Sequence, residues 1–415
     1  MPLTSPAPSS AVAPAMSPAL VVLLLSMLLG LQPVTTDLYL PALPALTEGF
    51  GAGMAQAQLT LTALLLAFGV SQLAWGPLSD RFGRRPVLLW GTAAYVAASV
   101  GSVFASTMDL LIVWRAIQGA AMGAGVMCAR AVVRDLYQPV EGARVMSKAL
   151  SGLGAIACLS APLGGFLSDT VGWRAALMAL AVFGAAALAM IALRFEETVP
   201  VRNRRALHPI ELARSWALIL RNPTFLAYSA LTIGTYLGLF SFLATSSFVF
   251  IKVLGFSRTQ YGLLMCSMSL SYIVGTFVCR ELLVRFGVRR TVAIGGGLSL
   301  AGGTLMGVLA LAGADQPWYG AWAIIGPFYL FMMGHGVHQP CGQSGAVGPF
   351  PQMAGTASAL NGFLMMVGAF LVGGWLGTHM DGTVFPLVHG VWFWSALLAL
   401  TAWTLVQKHG QTPQH

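Results

Sequence analysis

Runs of about 20 apolar residues recur twelve times along this chain, and no other feature restricts its fold so tightly. A bilayer core about 30 Å thick is crossed by about 20 helical residues, which satisfy their backbone polar groups internally. The runs fall at about 19–41, 56–78, 86–106, 109–130, 145–168 and 173–194, then at about 223–248, 258–282, 290–312, 320–341, 354–378 and 384–407. The expectation is an all-α membrane protein with twelve transmembrane helices. Only 8% of the 415 residues are charged, whereas a soluble chain averages about 25%.

The remaining segments divide the chain. Residues 1–18 are rich in Pro, Ala and Ser and read as a disordered tail. "ALVVLLLSMLLGLQPV" has the look of a signal-peptide core, but no positive region precedes it and it runs on too far, so a retained first helix is expected. A six-helix bundle then occupies 19–194 and a second one 223–407, with a short tail at 408–415. Between the bundles, "RFEETVPVRNRRALHPIELARSWALILRN" is dense in charge, so 195–222 reads as a cytoplasmic linker.

Charge sets the orientation. Seventeen lysines and arginines fall in segments that share a side with the N-terminus, whereas the other side holds Arg174, Lys252 and Arg258. Cytoplasmic loops carry the basic excess, so both termini are expected in the cytoplasm. The net charge of +9 is split into short clusters rather than one stripe, so no nucleic-acid partner is expected. The five cysteines (128, 158, 266, 279 and 341) lie in apolar surroundings without a CxxC pair, which reads as buried packing.

One loop pattern goes beyond generic topology. "GPLSDRFGRRP" (76–86) connects the second and third helices: Gly76 and Gly83 permit a tight turn, and Arg81, Arg84 and Arg85 mark the cytoplasmic face. The triplet Arg-Phe-Gly returns 204 residues later in "LVRFGVRR", with Val284 in place of Asp80. Such an echo at half the chain length is what a duplicated six-helix unit leaves behind. At this loop the chain resembles the major facilitator superfamily, whose signature has this pattern. The resemblance extends over nearly the whole chain and implies two pseudo-symmetric six-helix bundles.

Further stretches sharpen it. "LLIVWRAIQGAAMGAG" (110–125) sets Arg115, followed by Gln118, deep in an apolar helix, and is similar to the helix 4 signature of proton-coupled members. A charge there costs roughly 2.5–3.5 kcal/mol on insertion scales, so it is paired, faces a wet cavity, or snorkels from the helix end. "GLGAIACLSAPLGGFLSD" (152–169) is similar to the helix 5 signature of drug exporters, with Ala161 in place of a glycine and then Pro162, Gly164 and Gly165. "TTDLYLPALP" (35–44) and "FPQMAGTASALNGF" (350–363) together resemble the bicyclomycin-resistance and chloramphenicol-efflux subgroup of drug:proton antiporters.

Asp37 is the first charged residue, about 18 residues or about 27 Å into the first helix. Arg115, entering from the other side, lies at similar depth, which brings the two within reach of each other across the family's central cavity. Burial and a neighbouring arginine act oppositely on a carboxylate. A cavity that alternates between wet and dry would therefore move Asp37 between its protonation states, and proton and cargo would compete for it. An outer helix cap is the plainer alternative for Asp37. The resemblance implies that Asp135 binds the Arg81/Arg84 loop and, with Asp80, closes an inner gate; a surface salt bridge is the alternative. Tyr39, Gln118, Tyr236, Phe240, Phe242, Met265, Met268 and Asn361 are candidates for the cavity wall. His335 and His338, one turn apart in "GHGVHQPCGQ", are cavity lining, a proton relay or a metal pair; no acid stands nearby.

The function implied is proton-coupled efflux of small amphipathic compounds or antibiotics across the inner membrane by a monomer without cofactors. No G-x-x-x-x-G-K-[ST] loop points to ATP. A transporter of one metabolite on the same fold, and more remotely an intramembrane metalloenzyme at the two histidines, are the other readings.

Overall fold

Capping side chains and prolines punctuate an otherwise uniformly apolar chain. In the computed structural model, which describes residues 16–199, 208–314 and 316–410, α1 (Pro18–Asp37) starts behind Ser17, whose hydroxyl accepts the Leu20 N–H at 3.3 Å. The first half continues with α2 (Met54–Phe82), α3 (Arg84–Val103), α4 (Met108–Leu136), α5 (Pro139–Thr170) and α6 (Trp173–Arg194). A linker helix (Pro209–Leu220) leads to α7 (Pro223–Phe248), capped by Asn222. One helical run, Arg258–Gly313, contains α8 (258–286) and α9 (288–313). Then come α10 (Ala321–Val347), α11 (Ala354–His379) and α12 (Phe385–Trp403).

Ten helical runs among the described residues are long and apolar enough to cross a membrane, the 56-residue run counting once; α10, which carries His335, His338 and two prolines, is not among them. Most of the expected tail, the linker arginines Arg202, Arg204 and Arg205, and residues 411–415 lie outside the described residues. The first helix differs from its expected span: α1 stops at Asp37, and the chain proceeds through a 3-10 turn (Leu40–Ala42) and a short helix (Leu43–Gly49). Pro41 and Pro44 lack the N–H that would continue a straight α-helical ladder.

The repeated Arg-Phe-Gly triplet has a structural counterpart. Gly83 turns the chain directly from α2 into α3 with φ 105°, and Gly287 does the same between α8 and α9 with φ 70°. Both angles lie where a side chain is strained. These turns, the linker helix and the arginines around them share one end of the molecule, called here the basic end; the other is the far end.

Within the first half α1 packs on α5, α2 and α3 on α4, and α3 on α6; in the second, α7 packs on α10, α11 and α12. The halves meet through α2 against α11 and α5 against α8, two crossings that interchange if the halves are swapped. At the α5–α8 crossing a methyl group on Gly165 would collide with the Arg258 carbonyl, and one on Gly262 with the Ala161 carbonyl. Gly164 meets the Leu38 carbonyl at the end of α1 in the same way. Ala161 thus keeps its side chain because the glycine of this contact is supplied by α8.

Hydrogen bonds between the halves are unevenly placed. At the far end Asp169 accepts the Thr259 amide (2.8 Å) and hydroxyl (2.7 Å), and Arg258 donates to the Ser168 carbonyl (2.9 Å). Lys252 also pairs with Glu48 there, and Gln58 donates to the Ala244 carbonyl. Toward the basic end the described residues make one such bond, from Arg130 Nη1 to Ser358 Oγ at 2.5 Å.

Gly165→Val should force α5 and α8 apart, at an overpacking cost of about 1–3 kcal/mol. A single cysteine at Thr259, in a background without the native cysteines, is then expected to react several-fold faster with a maleimide. An unchanged rate would mean that this contact does not hold the far end shut.

Candidate functional site

The polar residues inside the helices form two separate constellations near Asp37 and a third at the basic end. Asp37 ends α1, about a dozen residues short of the far tip at Gly49. It is half-buried, and Thr36 Oγ1 donates to its Oδ1 at 2.9 Å. The 3-10 turn that follows it, Leu40–Ala42, packs on α5 of the first half and on α7 and α8 of the second, so Asp37 stands beside the plane where the halves meet.

Arg115 is fully buried inside the first half. Its Nη2 donates to the Thr35 carbonyl at 3.1 Å and its Nη1 to Gln118 Oε1 at 2.7 Å. Gln118 passes the chain on to Ser99 Oγ at 2.6 Å, and Thr35 Oγ1 lies 2.7 Å from the Tyr95 hydroxyl. The guanidinium also lies 4.2 Å over the Tyr39 ring, whose hydroxyl reaches Thr60 at 2.7 Å. The bond to Thr35 puts Arg115 at the depth expected, two residues before Asp37. The ion pair with Asp37 is not made: neutral acceptors and an aromatic face hold the cation instead.

Several residues expected on a cavity wall lie inside the packing of one half. Tyr39 and Gln118 belong to the Arg115 network. Phe242 is buried and stacked on Phe328 at 3.9 Å, and Asn361 accepts from Thr232 at 3.0 Å. Met265 and Met268 are buried on α8. Phe240 is buried beneath Tyr236, which stacks on it at 6.4 Å and stays partly open. The two histidines diverge: His335 Nδ1 meets Thr235 Oγ1 at 2.9 Å with Tyr272 against its ring, and His338 Nε2 donates to the Val292 carbonyl at 3.1 Å. Each ring is taken up by a different neighbouring helix, so the pair does not converge on a common point.

At the basic end Arg84 is buried to 3% exposure. It donates to Asp135 (2.9 Å), Asp80 (2.6 Å) and Ser79 (2.5 Å). Arg81 and Arg85 are exposed, Arg81 lying over the Phe82 ring rather than on Asp135. Gly76 sits against Met127. Glu197, missed in the sequence because it sits in the stretch read as linker, completes the cluster. Its carboxylate accepts the Arg84 N–H (2.8 Å) and the Arg85 N–H (3.3 Å), the first free donors of α3. It fills the space a side chain at Gly83 would need. Arg130 was missed as well. Its signal was arithmetic: it and Arg115 are the two basic residues left over once the rest are assigned to connections.

Comparison with known proteins agrees with this architecture. The sequence profile described as Major Facilitator Superfamily matches residues 22–373. Multidrug resistance protein D of Escherichia coli is 32% identical over 353 residues, 84% of this chain and 86% of that protein. The chloramphenicol resistance protein of Pseudomonas aeruginosa is 30% identical over 82% of this chain and 79% of its own length. The bicyclomycin resistance protein homolog of Haemophilus influenzae is 25% identical over 88% and 91%. Among solved structures, a D-xylose-proton symporter superposes with a TM-score of 0.73 over 95% of this chain and all of its own, at 17% identity, a likeness of fold.

Removing one partner of a buried ion pair costs about 3–5 kcal/mol, whereas an exposed charge is worth within about 0.5 kcal/mol. Asp135→Ala should therefore lower the thermal midpoint of the purified protein markedly, and Arg81→Ala should leave it nearly unchanged. Equal shifts would mean that Arg81 is as firmly engaged in the fold as Asp135.

Proposed function

Because the chain belongs to the Major Facilitator Superfamily, we propose that it exports small amphipathic compounds, antibiotics among them, in exchange for protons. It does so as a monomer in a bacterial inner membrane, with the basic end and both termini in the cytoplasm. The names of the drug-resistance relatives support this cargo class, and the skewed placement of arginines supports the orientation. Residues 19–194 and 223–407 act as the two moving bodies, with 195–222 as their tether.

The observation that carries the proposal is Asp37. Every other described carboxylate lies in a connection or within about two turns of one; Asp37, although it ends α1, alone stands about a dozen residues short of the tip at Gly49, partly buried at the plane where the halves meet. Cargo arriving from the cytoplasm displaces the proton held there. Opening the far end lets cargo leave and a proton return, so one carboxylate serves the two in turn. Arg115 grips the Thr35 carbonyl two residues earlier, so any sliding of α1 on α4 changes the field at Asp37. The Arg84–Asp135–Glu197 cluster acts at the cytoplasmic side, where its closely placed partners give a discrete made-or-broken arrangement.

Proteoliposomes with an imposed pH gradient provide the test. Gradient-driven chloramphenicol transport should fall at least about ten-fold in Asp37→Asn, about 1.4 kcal/mol in the coupled step, and what remains should no longer vary with pH. Transport by this variant at the parental rate, still driven by the gradient, would remove Asp37 from the coupling role.

A further inference from the structure

Arg130 is a cation without a carboxylate partner among the described residues, placed where cargo would enter. It lies 15 residues beyond Arg115 on α4, about 22 Å further toward the basic end. Its side chain is exposed, yet not to lipid. The outward face of α4 is marked by Leu110, Val113 and Ile117, each more than a third exposed. At about 100° per residue Arg130 stands about 140° around the helix from Ile117. Its reach to Ser358 of α11 fixes the direction: the guanidinium projects into the gap between the halves. Arg134, one turn on and on the same face, is exposed too, and its nearest acid is Asp135 at 3.9 Å.

Ser358 occupies one of the five N–H donors of this guanidinium. A planar fork with unused donors, in a gap lined by helices, suits a carboxylate, phosphonate or sulfonate, which it can take bidentately. A serine hydroxyl is a weaker, neutral acceptor that such a group displaces.

Resting on the export reading above, we infer that Arg130 is a specificity-determining residue at the cytoplasmic mouth: it recognises an anionic group on amphipathic cargo, which takes the place of Ser358. The contact is separate from Asp37, which lies far deeper. Displacing Ser358 also releases the one hydrogen bond described between the halves on this side, so anion arrival and release of that latch are one event.

Two dyes with the same xanthene core, anionic fluorescein and cationic rhodamine 6G, test this by equilibrium binding to purified protein in detergent. Arg130→Gln should weaken fluorescein at least about ten-fold, as loss of a charge-assisted contact does, and leave rhodamine 6G within about two-fold. Unchanged rhodamine 6G binding also certifies that the variant is folded. Arg130→Lys should recover part of the loss, and Ser358→Ala should tighten fluorescein by removing its competitor. Equal effects on both dyes, an unchanged fluorescein affinity in Arg130→Gln, or wild-type protein that binds only rhodamine 6G would overturn the inference. Binding needs no gradient, so failure of proton coupling at Asp37 would leave these affinities untouched and sink only the earlier reading.

Discussion

Everything in this arrangement depends on backbone meeting backbone where α5 crosses α8. Gly165 and Gly262 bring each helix onto a carbonyl of the other, so a single added methyl on either side has nowhere to go. In lipid there is little hydrophobic drive to press helices together, and close small-residue contacts carry the association instead. The polar bonds of Asp169, Lys252 and Gln58 gather at the same far end, leaving the basic end with the Arg130 contact. A molecule joined so unequally is closed on one side by construction.

The buried charges follow one logic. Neither Arg84 nor Arg115 can reach water, and burying a charge is costly unless it is engaged, which both are, though Arg115 leaves its Nε without a partner. Arg84 is surrounded by carboxylates, giving a cluster that is strong when assembled and costly when half-broken. Arg115 is held by an amide, a carbonyl and a ring, which keep its charge in place without cancelling it. That difference separates a fastening from a source of field, and it leaves the carboxylate of Asp37 free beside the plane where the halves meet.

Much of this was legible in the sequence because it is local. Twelve apolar runs, the doubled Arg-Phe-Gly and the glycines of helix 5 each state their geometry within a few residues, and Gly83 and Gly287 do adopt matching turns. Partner choice was not legible, since it depends on rotation about helix axes. Asp37 and Arg115 share a depth, as reckoned from residue counts, yet their side chains leave on different faces. Glu197 reaches back 113 residues to Arg84, a distance no local pattern encodes. Phe242 and Asn361 sit on helices that border the gap but turn inward, a choice made by neighbours such as Phe328 and Thr232.

Asp169 has a second effect through the way it holds α8. By accepting both the amide and the hydroxyl of Thr259, a residue of α5 in one half caps the first turn of a helix in the other. When the halves part at that end, α8 is left with its own cap, Ser257, and loses the foreign one. Its first turn would then rest on Ser257 and Gln260 alone, and the rim of the opening at that end would be held less firmly as it widens.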